Sequence, residues 1–144
     1  SALYQAKGCN YVVNDFAGVR GEPEHTVKLP FAERPDGSFA ATVYLDAMLD
    51  EDYYGNGVCR WTLTSVGPWV MATGSPAETL FDTDLSPEQL LAEQPVQLFY
   101  WKGYYPQSKV DGFKTWGNNT REQFAPEARD NLFSMTLMPK KVQP

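Results

Sequence analysis

Thr26-Val27-Lys28-Leu29-Pro30-Phe31-Ala32-Glu33-Arg34-Pro35-Asp36-Gly37-Ser38-Phe39-Ala40-Ala41-Thr42-Val43-Tyr44-Leu45-Asp46 reads as a β-hairpin. Val27, Leu29 and Phe31 fall on one face before the turn, and Phe39, Ala41, Val43 and Leu45 alternate after it. Arg34-Pro35-Asp36-Gly37 has the residues a tight turn needs. Pro30 cannot donate to a ladder, so the spacing predicts an edge strand there. Working outward, Val58–Val66, Trp69–Thr73, Glu78–Asp82, Val96–Trp101 and Leu132–Met138 read as further short strands. Ser86-Pro87-Glu88-Gln89 and Thr120-Arg121-Glu122-Gln123 carry a hydroxyl cap with Gln three residues on, and each predicts a short helix. The expected fold is mainly β: a β-sandwich or open barrel of about seven short strands with two short helical insertions.

A chain of 144 residues without an internal repeat or linker predicts a single domain over 1–144. The 14% aromatic content favours sheets and aromatic-rich binding surfaces. No apolar run reaches membrane-span length, so no membrane insertion is expected. Ser1-Ala2 reads as a cloning remnant, with any export signal cut away upstream.

The acids are unevenly placed. Between Asp46 and Glu93 nine acids face one base, Arg60, for a net charge of −8. That balance disfavours nucleic acid and anionic lipid, and favours a basic protein or a cation. Solubility alone also explains an acidic surface. Cys9 and Cys59 are the only cysteines. Two thiols are free core residues in a cytosolic protein or a disulfide in an exported one. Flanks rich in Tyr and Trp and poor in Lys favour the disulfide, and with it a periplasmic or secreted location.

Catalysis finds little support. His25 is the one histidine, and neither a Gly-x-Ser-x-Gly elbow nor a recognisable nucleophile context accompanies it, so the chain reads as a non-enzyme with no cofactor. Metal patterns fail as well. Asp50-x-Asp52 with Gly55 places Trp61 where a calcium loop needs its bidentate Glu, and Asp82-x-Asp84-x-Ser86 places Pro87 where it needs Gly.

Two surfaces remain as partner-binding candidates. One is the acidic-aromatic loop, with Asp50, Glu51, Asp52, Tyr53 and Tyr54; the other is the aromatic run at 100–106, with Tyr104 and Tyr105, together with Trp116. Consecutive aromatics cannot all face inward on a strand, so Tyr53, Tyr54, Tyr104 and Tyr105 are expected exposed, and Phe99, Trp101 and Phe113 in the core.

Size, acidity, β-content, paired cysteines and the missing catalytic set together resemble the small periplasmic immunity proteins that bacteria keep against secreted, type VI-like effectors. The resemblance implies an exported binding protein that neutralises a basic partner protein by occluding its active site. The alternative expectation is a carbohydrate-binding β-sandwich module, in which Tyr104, Tyr105 and Trp116 dominate.

Overall fold

Pro30 lies in the irregular stretch between two strands instead of within one. In the computed structural model, which describes residues 1–142, the chain is mainly β, and its strands divide among five small sheets. By compactness it forms two units, one spanning Ser1–Val66 and a second running from Gly67 onward.

The first unit holds β1 (Ala2–Gln5), β2 (Tyr11–Asn14), β3 (Val19–Gly21), β4 (Glu24–Val27), β5 (Ala32–Glu33), β6 (Phe39–Ala40) and β7 (Thr62–Val66). β1 is the centre of a three-stranded antiparallel sheet ordered β4-β1-β7. Ala2 and Tyr4 along it, and Ala6 just past its end, are buried in alternation; Ala2 pairs with buried Val66 and Tyr4 with buried Leu63. The Tyr4 hydroxyl donates to the Tyr44 carbonyl, which ties the segment after β6 to this core. The expected hairpin keeps its turn: Arg34 N–H donates to Ser38 O at 2.8 Å and Gly37 N–H to Arg34 O at 2.9 Å. Its strands are only β5 and β6, two residues each, because Pro30 removes a donor and β4 pairs with β1.

The second unit holds β8 (Trp69–Val70), β9 (Leu80–Asp82), α1 (Pro87–Leu91), β10 (Val96–Trp101), β11 (Lys114–Trp116) and β12 (Leu132–Leu137). α1 forms where its cap predicts: Ser86 Oγ accepts from Gln89 N at 3.2 Å, and Gln89 Oε1 accepts from Ser86 N at 2.9 Å. The helix expected after Thr120 is a 3-10 turn at 121–123, and a second 3-10 turn follows at 126–128. β10 and β12 pair antiparallel over their full length. β9 lies between β8 (antiparallel) and β11 (parallel). One face of that sheet brings Phe81 onto Leu98 and Tyr100, the core of this unit. Two glycines permit close approach. A Cβ at Gly67 would stand 1.9 Å from Thr83 O, and one at Gly117 2.7 Å from Leu98 Cβ. Glu78, buried, accepts from Thr73 Oγ1 at 2.5 Å and from Gly74 N at 2.9 Å, closing the turn between β8 and β9.

Twelve strands replace the expected seven among the described residues, because β1, β2, β3 and β11 arise where no strand is legible and the expected Thr26–Glu33 strand divides into β4 and β5. No helix of the described residues is long and apolar enough to cross a membrane.

Tyr100 gives the second unit a pH dependence. Its hydroxyl, buried, donates to Asp82 O at 2.6 Å. Burial, and after it the Asp82 carboxylate, push its pKa well above the ordinary tyrosine range. A folded-state pKa raised in this way stabilises fully below the unfolded value of about 10 and is lost as pH rises beyond it. Denaturant midpoints are therefore expected to hold to about pH 9 and fall above pH 10, less steeply in Tyr100→Phe.

Candidate functional site

The β2–β3 hairpin stands out because it buries nothing. Its turn is ordered: Asn14 Oδ1 accepts from Ala17 N at 3.0 Å, Gly18 N–H donates to Asp15 O at 3.3 Å, and Gly18 takes φ +66°. Yet Tyr11, Val12, Val13 and Val19 are exposed, and Phe16 at the tip is fully so. Cys9, two residues before β2, is disulfide-bonded to buried Cys59 with Cα atoms 5.3 Å apart. Tyr11 faces Gly21 across the hairpin, where a Cβ would stand 2.6 Å from its ring. Glycine lets that ring lie down and meet Tyr54, centroids 5.6 Å apart.

Tyr54 belongs to the acidic-aromatic loop, which hydrogen bonds hold in place. Glu51 pairs with Cys59, whose N–H donates to Glu51 O at 2.8 Å. Asp50 accepts from Trp61 N at 2.9 Å and lies 3.6 Å from Arg60. Asp52 accepts from Asn56 N at 3.1 Å. Tyr53 donates to Leu49 O at 2.6 Å and stands edge-on to Trp61 at 6.3 Å. Tyr53 and Tyr54 are 45% and 43% exposed, in keeping with their placement outside the core. Hairpin and loop thus form one surface, a row Tyr11–Tyr54–Tyr53–Trp61 beside Phe16's hairpin. Two of the loop's three carboxylates, Asp50 and Asp52, hold its backbone; Glu51 makes no side-chain hydrogen bond or ion pair among the described residues.

Tyr104, Tyr105 and Trp116 lie in the second unit and do not share one environment. Tyr104 is half-buried, against Trp101 at 5.0 Å and Phe113 at 4.8 Å, a correction to its expected exposure. Trp101 is exposed instead of lying in the core: it ends β10, and its ring lies across Gly103, where a Cβ would come within 2.3 Å. Phe99 is buried and Phe113 half-buried. Tyr105 is exposed, packs on Phe133 at 5.2 Å, and edges an apolar cavity of about 340 Å³ with Phe81 and Met135. Trp116 stands on the open face of the β8–β9–β11 sheet.

Of the five acids from Glu78 to Glu93, four are engaged within the second unit, Glu88 through a hydrogen bond with the Ser86 side chain. Glu78 closes its turn, Asp82 lies 2.9 Å from Lys114 Nζ, and Glu93 accepts from Lys141 N at 2.5 Å. Ser86 is the helix cap, so the Asp82–Ser86 pattern is spent on structure. Among the described residues no three His, Cys, Asp or Glu side chains converge to hold a metal. His25 is exposed on β4, opposite Tyr4.

Sequence reasoning misses Tyr11, Phe16 and Trp69. The signal for the first two was Asn14-Asp15-Phe16-Ala17-Gly18, a short hairpin loop between Val-rich runs. The chain matches no protein-family model, no curated protein and no solved structure.

Proposed function

We propose that this chain is an exported binding protein of the immunity or inhibitor type, which neutralises a basic partner protein by inserting the β2–β3 hairpin into its active site. The observation that carries the reading is Phe16, fully exposed at the tip of a hairpin that buries none of its own residues. Enzyme active sites are concave, and a projecting apolar tip is the shape that fills one. Burying a phenylalanine contributes about 1.5–3 kcal/mol. The disulfide and the Tyr11–Tyr54 contact hold the hairpin's base, so less ordering entropy is lost on binding. Asp46, Asp50, Glu51 and Asp52 give the adjoining loop a negative field that steers a basic protein. The disulfide supports an oxidising compartment.

Purified protein is to be titrated by calorimetry against each product of the neighbouring genes. One of them is expected to bind at one-to-one stoichiometry, with binding sharply weakened by Phe16→Ala. Binding unaffected by Phe16→Ala would remove the hairpin from the interface.

The reading also makes the protein catalytically inert. His25→Ala is expected to leave partner neutralisation within a few-fold of wild type. A loss of roughly a hundred-fold with the fold intact would place an active site at this histidine.

A further inference from the structure

Trp69 and Trp116 both pair in register with Asp82, one from β8 and one from β11, so the three residues form a row on one sheet face. Lys114, two residues before Trp116, shares that face. Its ammonium stands 2.9 Å from Asp82 Oδ2, 5.5 Å from the Trp69 ring centroid and 5.2 Å from that of Trp116. The sheet's other face supplies Phe81 to the core, so neither indole is needed there. Both stay in water, 57% and 58% exposed, while Asp82 is only 5% exposed.

We propose that this row is a second binding site, for a neutral, linear oligosaccharide of pyranose units. A pyranose offers an apolar C–H face that stacks on an aromatic ring and a rim of hydroxyls that need donors and acceptors. The row alternates in the same way: indole, charged pair, indole. The two tryptophans stand two strand spacings apart, roughly 9.5 Å, about the length of a disaccharide repeat. Between them Lys114 has three N–H donors, of which Asp82 takes one, and its side chain remains 40% exposed. Asp82 fixes the ammonium and supplies a carboxylate beneath it. The pair is neutral overall, so the row has no pull on a polyanion or polycation; that balance selects an uncharged ligand. A partner protein, the other kind of occupant that exposed tryptophans attract, is an outcome of the test.

Calorimetric titration with cellotetraose, chitotetraose and maltotetraose, each to millimolar concentration, is the experiment. At least one is expected to bind saturably. Trp69→Ala and Trp116→Ala should each weaken it by roughly tenfold or more, Lys114→Met by less, with circular dichroism unchanged. Phe16→Ala should leave sugar binding intact, which separates this site from the hairpin. Three results overturn the proposal: no tetrasaccharide binds, binding survives within about twofold in both tryptophan variants, or those variants instead abolish binding of the partner protein.

Discussion

Replacing Cys9 and Cys59 together by alanine is expected to cost about 4 kcal/mol of stability. The bridge spans a sequence separation of 50, and cross-linking so long a loop removes much of the unfolded chain's freedom. The first unit has little with which to absorb the loss. Its buried apolar residues are few and small (Ala2, Ala6, Val66 and Leu63 beside Tyr4), and Cys59 is itself part of them. Function should suffer with stability, because Cys9 anchors the base of the hairpin and Cys59 pairs with Glu51 of the loop. Urea unfolding of the double variant against the non-reduced wild type measures the difference. Thiol titration of denatured, non-reduced protein should find no free thiol. Two free thiols would remove the anchor and much of the support for export.

The second large effect concerns the partner. Phe16→Ala and Tyr54→Ala are each expected to cost about 2–4 kcal/mol in affinity, nearly all of it as faster dissociation, because buried aromatic anchors set lifetimes. Tyr53→Ala should cost less, on the order of 1–2 kcal/mol, since its ring is partly spent on Trp61. Charge acts on the other rate. Asp50 and Asp52 hold the loop's backbone, so their reversal would confound steering with loop disorder. Glu51→Lys is the clean probe: association should slow and its salt dependence flatten, with dissociation unchanged. Stopped-flow or surface-plasmon measurements at several ionic strengths separate the two rates.

Local chemistry was legible and long-range pairing was not. Ser86 announces its helix because cap, Pro and Gln act within four residues, and Val96–Trp101 is a strand at the boundaries its apolar density indicates. The Arg34–Gly37 turn is likewise a local matter. β1 escapes notice because Ala2-Leu3-Tyr4-Gln5 is short and weakly hydrophobic; it is a strand only because β4 and β7 flank it. The acidic-aromatic loop is readable as a surface, but not the hairpin beside it, since their contact depends on the Cys9–Cys59 bridge and on Gly21. Trp69 and Trp116 are far apart in sequence, and only the parallel pairing of β9 with β11 sets them about one carboxylate.

Occlusion is the central claim, and the partner's own activity tests it most directly. Assayed on a small substrate with an equimolar amount of this protein present, the partner's activity should fall to background. With Phe16→Asp, which puts a charge at the exposed hairpin tip without touching the core, most of that activity should return. A partner that binds this protein tightly yet keeps its full activity would contradict the claim, since its active site would then be open.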